Sequence, residues 1–214
     1  MSKKNLSAGL PKQEAIQAAA LDLFSRYGLH GTSLDQVASL AGLSKSNLLY
    51  YFASKEELYI ELLSNLLDLW LAPLRAINAE QDPAAAIAQY IRLKMINSRD
   101  HPQASRLFCL EMIQGAPLLK PALEGTLREL VDAKAGVIRA WVAAGRLQPV
   151  DPHHLFFSLW ALTQHYADFS VQVRSITGCT LDDPAFFEQA LASVQGLILR
   201  GIGVEVGEVS VSRL

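Results

Sequence analysis

The chain of 214 residues is half hydrophobic and has a formal net charge of −2, ample material for a packed core. No run reaches about 18 uninterrupted apolar residues, which argues against a membrane span, and the polar start MSKKNLSAGLPKQEA lacks a secretory hydrophobic region. Cys109 and Cys179 lie far apart, without zinc or redox spacing, so the expectation is a cytoplasmic, reduced protein needing no cofactor or metal.

Apolar residues recur at three- and four-residue spacing nearly throughout, which predicts helices. The first spans about 11–27, with short helices at 34–41 and 45–51. Longer ones follow at 54–79, 83–100, 103–114, 122–144, 152–170 and 184–200. Start signals support these bounds. Ser33 with Gln36, and Ser54 with Glu57, fit the capping box, in which the two side chains satisfy free amides reciprocally. Asp82-Pro83, Asp151-Pro152 and Asp183-Pro184 each set a capping carboxylate before a proline suited to the first helical position. Gly28, Gly115, Gly145 and Gly201 read as stops. The closing GIGVEVGEVSVSRL reads as a frayed tail.

The charge is unevenly spread. Residues 1–55 hold six Lys/Arg against three Asp/Glu, and the remainder thirteen against eighteen. A basic head on an acidic body permits nucleic-acid contact by the head. Within that head, Ala41-Gly42-Leu43 separates two short helices, and Ser44 can cap the second. Gly42 supplies the backbone freedom of a sharp turn. Val37, Leu40, Leu43 and Leu48 can pack both helices on the first through Ala20, Leu23 and Phe24. This is helix-turn-helix spacing. Such a motif sends the N-terminal residues of its second helix into the major groove. Lys45, Ser46 and Asn47 stand there. Asn can pair with adenine in bidentate fashion, and Lys can reach guanine acceptors or phosphate. Tyr50, Tyr51 and Lys55 fall where the chain would meet the DNA backbone. From spacing alone, a solvated corner between two helices is an equal reading.

The run from Gly28-Leu-His-Gly-Thr-Ser through Ala41-Gly-Leu-Ser-Lys to Tyr51-Phe-Ala-Ser-Lys-Glu-Glu-Leu resembles the DNA-binding domain of TetR-family transcriptional regulators, over residues 11–62. The resemblance implies an all-α protein. A three-helix head occupies residues 1–54, a helical ligand-binding and dimerisation bundle 55–202, and a flexible tail 203–214. It also implies a homodimer that represses from a palindromic DNA operator and lets go when a small molecule binds. Thr32, Ser33, Tyr51 and Lys55 would then anchor phosphates, with Ser44 at the same edge and Lys45, Ser46 and Asn47 near base edges. Leu49 stands where many members carry a phosphate-contacting tyrosine, which puts that contact in doubt or passes it to Tyr50. Ser46 replaces a frequent glycine.

The stretches LWLAPL, QYIRLKMINSRDHPQASRLFCLEMIQGAPLL and LFFSLWALTQHYADF resemble, more specifically, the pyrimidine-utilisation regulators within that family. That resemblance implies uracil or thymine as effector. Trp160 and Gln164 are four residues apart and share a helix face. A pyrimidine dione alternates carbonyl acceptors with an N–H donor, so a Gln amide can donate and accept along its edge while an indole stacks. Without the resemblance, a locally bonded Gln and a core Trp read better. Lys94 interrupts an apolar stripe and either snorkels outward or meets a ligand carbonyl. Trp70, Leu74, Phe108 and Met112 could form apolar walls or a dry core.

Phe186, Phe187, Leu191, Val194, Leu197 and Ile198 form a broad stripe on the last long helix. The resemblance implies that this helix joins the 152–170 helix, with Phe156, in a four-helix dimer interface. An intramolecular core would want the same stripe. Another small nitrogenous or apolar effector would suit the same architecture. A helical enzyme is the distant alternative, on His153-His154 and His165 with Asp168, but no recognisable nucleophile motif or phosphate loop accompanies them.

Overall fold

The computed structural model describes residues 11–204. The first ten residues, and the predicted tail from 205 onward, lie outside the described residues. The elements run α1 Lys12–Tyr27, α2 Leu34–Ala41, α3 Lys45–Tyr51, α4 Lys55–Arg75, α5 Pro83–Asp100, α6 Pro102–Ile113, α7 Lys120–Ala122, α8 Arg128–Ala143, α9 Pro152–Asp168, α10 Ser170–Thr177 and α11 Pro184–Gly201. A π-helical segment, Leu123–Leu127, links α7 to α8. Among the described residues there is no strand.

The local start signals act as their chemistry requires. Ser33 accepts from the Gln36 amide, and Gln36 reaches back to the Ser33 amide, completing the capping box of α2. Ser44 caps α3 through the Asn47 amide. Ser54 accepts from the Glu57 amide, while the Glu57 carboxylate takes the Ala53 amide instead of the one at Ser54. Asp82, Asp151 and Asp183 cap α5, α9 and α11, each followed by its proline. Gly42 takes the left-handed conformation at φ 71°, which gives the turn between α2 and α3 its sharpness.

Several boundaries differ from the sequence reading. The helix predicted to reach 79 ends at Arg75. There Lys134 of α8 donates to the carbonyls of Arg75 and Ile77 at 2.8 and 2.7 Å. Trp141 and Arg146 donate to the Ala79 carbonyl, and Arg146 also to that of Gln81. The predicted 122–144 helix contains the π segment near its start. α10 falls in what was read as a loop. Its N-cap is Phe169, with no capping side chain, and only Val173 of the helix is buried. α11 ends at Gly201, one residue past the predicted bound, but the left-handed residue that follows its cap is Gly203, and Val204 donates back to Leu199.

The chain forms two compact units that do not follow the division at residue 54. One comprises residues up to Leu69 together with Gln103–Leu123; the other comprises Trp70–Pro102 and the chain from Glu124. In the first, α1 and α2 pack against each other, and Ile16, Phe24, Val37 and Leu48 are fully buried. Phe24 meets Tyr59 of α4 edge-to-face at 5.0 Å. The Tyr59 hydroxyl donates to the buried Glu111 carboxylate of α6 at 3.1 Å. Glu111 also accepts from the amides of Leu118 and Leu119 at 2.8 and 3.2 Å. Burial, then the Glu111 charge and hydrogen bond, push the Tyr59 phenol well above its ordinary range. In the second unit α5 packs on α9 and α11, and α8 on α9. Ile87, Tyr90, Met95, Trp141, Phe156 and Leu159 are central to its core.

Candidate nucleic-acid interface and effector site

The start of α3 is built for presentation. Leu48 is wholly buried and pins the helix, while Lys45, Ser46 and Asn47 in its first turn are exposed. Tyr50 is 84% exposed and meets the ring of the exposed Tyr51 edge-on at 5.3 Å. Leu49 is exposed beside them. The Lys45 ammonium lies 2.9 Å from the Asp35 carboxylate of α2. Both groups are solvated, so this pair is weak and a phosphate could displace it. Asp35 was not foreseen as a partner, although it stands in the first turn of the neighbouring helix.

Other predicted contact residues are placed differently. Thr32 is buried, so its hydroxyl does not face outward toward a phosphate. Its carbonyl instead accepts from the half-buried Lys55 ammonium at 3.0 Å, joining the approach to α2 to the start of α4. Ser33 and Ser44 remain exposed, but their hydroxyl oxygens accept the capping bonds. The exposed set is therefore Ser33, Ser44, Lys45, Ser46, Asn47, Tyr50 and Tyr51.

In the second unit, Lys94 points inward and is 4% exposed, which removes the snorkelling alternative. Its Nζ lies 5.3 Å from the centre of the Trp70 ring, within cation–π range. Burial pushes its pKa down to about 8, and the Asp168 charge opposes that shift. Trp70 and Leu74 are buried in the last turns of α4. Trp160 is half-buried, stacks on Phe156 and donates from its indole nitrogen to the Tyr90 hydroxyl at 2.8 Å. Burial raises the Tyr90 phenol's pKa. Gln164 is half-buried one turn farther along α9. Ser98 of α5 donates to the Thr163 carbonyl at 2.9 Å, tying α5 to α9 directly before Gln164. Phe108 and Met112 are half-buried on α6, in the other unit. Tyr90 escaped the sequence reading and Asp168 entered it only beside His165 in the enzyme alternative, although each lies four residues from a singled-out position, Lys94 and Gln164.

The residues assigned to the dimer interface need correction. Phe156, Phe187, Leu191, Val194 and Ile198 are all buried within their own unit and form part of its core. They leave little surface to offer a partner. Leu197 of the predicted stripe does face outward from α11, as does the large apolar Phe157 from α9, 60% and 53% exposed. The histidines of the enzyme alternative have ordinary surroundings: His153 pairs with Asp132 at 3.3 Å, and His165 stacks on Phe169.

This architecture, a helix-turn-helix head with a helical bundle holding a buried cation and indoles, defines a DNA-binding regulator class. The family model for bacterial regulatory proteins of the tetR family matches residues 16–62, and that for the C-terminal region of YcdC-like proteins matches residues 63–205. HTH-type transcriptional regulator RutR of Escherichia coli strain K12 is 58% identical over 191 residues, covering 89% of this chain and 90% of its own. HTH-type transcriptional repressor NicS of Pseudomonas putida is 24% identical, covering 89% and 92%. The crystal structure of AibR in complex with isovaleryl coenzyme A and operator DNA superposes with a TM-score of 0.68 at 18% identity, covering 87% of this chain and 97% of AibR. At that identity it shows the fold alone.

The chain belongs to the TetR family of bacterial transcriptional regulators. It is a helix-turn-helix regulator, not an enzyme. No helix among its described residues is long and apolar enough to cross a membrane.

Proposed function

We propose that this chain is a cytoplasmic, homodimeric repressor of pyrimidine-utilisation genes, released from a palindromic operator by uracil or thymine. The observation that carries the reading is Lys94, a buried ammonium against the Trp70 indole on the α5 face of the effector unit. A buried cation calls for polar partners, and a pyrimidine carbonyl is one. Gln164, one turn from Trp160, would supply the donor and acceptor for the dione edge. The similarity to RutR over most of the chain supports the same effector class.

Calorimetric titration of the purified protein with uracil, thymine and cytosine tests the reading. Saturable binding of uracil but not of cytosine is expected. Gln164→Leu is expected to weaken uracil binding roughly tenfold or more, because carbonyl and N–H would both lose their partner. Equal affinity in the two proteins would remove Gln164 from the site. Lack of uracil binding by the wild type would overturn the pyrimidine assignment.

On the DNA side, Asn47 would read a base edge in the major groove and Lys45 would hold a phosphate beside it, while Tyr50 and Tyr51 meet the backbone. Two heads related by a twofold axis would engage successive major grooves about 34 Å apart. The exposed Phe157 and Leu197 support the outward faces of α9 and α11 as the dimer contact. With a palindromic duplex selected from a random library by the wild-type protein, Asn47→Ala should lose about 1–3 kcal/mol and relax preference at one base pair per half-site. Lys45→Ala should weaken all sequences alike and lower the salt slope by about 1. Unchanged base preference in Asn47→Ala would exclude that residue from base readout. For release, the effector must bind the form with low DNA affinity more tightly than the DNA-competent form.

A further inference from the structure

Among the described residues, two buried side-chain polar atoms lack a hydrogen-bond partner: Thr32 Oγ1 in the head and Asn97 Nδ2 in the effector unit. A hydroxyl can rotate toward a new acceptor with little disturbance. A buried amide nitrogen is a different matter, since it carries two N–H donors that water would otherwise satisfy, and such an orphan calls for an explanation.

Asn97 lies three residues past Lys94 on α5, so the two side chains are neighbours on the helix surface. The next residue, Ser98, is bonded to the carbonyl of Thr163, which directly precedes Gln164. Asn97 and Gln164 are thus chain neighbours of a contacting pair. One face of α5 presents two buried donors, the Lys94 ammonium and the Asn97 amide nitrogen. A protonated lysine can only donate.

We propose that Asn97 is a further effector contact and, with Lys94, the determinant of preference for a dicarbonyl over an aminopyrimidine. A pyrimidine-2,4-dione offers two carbonyl acceptors, one for each donor. Cytosine replaces one carbonyl with an amino group, which sets donor against donor. The inference rests on the pyrimidine reading above and adds to it the residue that distinguishes the 4-position substituent. Gln164 alone does not supply this discrimination, because its amide can present either its oxygen or its nitrogen.

The test is calorimetric titration of uracil and cytosine into the full-length wild type, Asn97→Leu and Asn97→Asp, with thermal unfolding of each protein recorded in parallel. Asn97→Leu removes the orphan donor and should unfold no earlier than the wild type, yet bind uracil roughly tenfold or more weakly. A residue with a purely structural role would lose both properties together. Asn97→Asp keeps the shape but offers only acceptors, and should narrow the gap between uracil and cytosine. It also serves if the leucine variant fails to fold. Wild-type uracil affinity in either folded variant overturns the role of Asn97 and leaves the pyrimidine reading intact. Lack of uracil binding by the wild type overturns both.

Discussion

Lys94→Met will raise the stability of the folded protein by about 3 kcal/mol at pH 7 and abolish its response to uracil. The stabilising half follows from the burial of the ammonium. Its folded-state pKa of about 8 lies below the ordinary 10.5, and desolvation is the principal cause. A lysine whose pKa is lowered by folding opposes folding wherever the unfolded chain is protonated. Below about pH 8 both states carry the charge, and the full penalty applies. Between about 8 and 10.5 the folded protein gives up the proton first, so the unfolded state binds more protons. Wild-type stability therefore rises through that window, by up to about 1.4 kcal/mol per pH unit. Methionine fills a similar volume and carries no such penalty. The gain should consequently be largest at neutral pH and shrink as pH climbs toward 10.5. Urea unfolding at matched protein concentration, at pH 7 and pH 9.5, reads the difference. A gain independent of pH would mean that repacking, not charge burial, caused it. The functional half follows because the variant has no cation to offer a carbonyl. Stability and sensing are in opposition at this position, a common situation at binding sites.

Glu111→Leu should do the reverse, destabilising the protein by about 3–5 kcal/mol. Glu111 is 2% exposed and accepts from the Tyr59 hydroxyl and the amides of Leu118 and Leu119. Leucine fits the volume but leaves all three donors without this acceptor. The turn concerned already holds Ala116 at φ +54°, a left-handed conformation unfavourable to a residue with a Cβ. Grip on the next amides helps to hold it there. Tyr59→Phe removes one donor and leaves the two backbone bonds, so its loss should be only about 1 kcal/mol. Equilibrium unfolding of both variants makes the comparison. Equal losses would assign the bracing to the tyrosine hydroxyl alone.

The parts of this molecule legible in its sequence are those decided by near neighbours. Ser33, Ser44, Asp82, Asp151 and Asp183 each satisfy amides two or three residues away, so helix starts could be read directly. α10 was hidden because it has no capping side chain and leaves Val171 and Ile176 exposed. The π segment was hidden because its altered hydrogen-bond register has no side-chain signature here. Spacing showed that the stripe through Leu191, Val194 and Ile198 must be covered, but not by what. Its own protomer covers it. The same limit applies to Lys94, whose long stem could have gone either way until the packing of α5 was known. Thr32 and Lys55 were picked out as phosphate contacts, but one is turned inward and the other bonds the first one's carbonyl.

The connection between α4 and α5 is held through its carbonyl oxygens, by Lys134, Trp141 and Arg146. Every amino acid supplies a carbonyl. The exposed Ala76, Ala79 and Glu80 can therefore be exchanged without touching these bonds. Insertion or deletion is another matter, for one residue more or fewer would carry the acceptors past two side chains on α8 and a third just beyond its end. Over evolutionary time this segment should drift freely in spelling while keeping its length, with the record of that constraint written some sixty residues away.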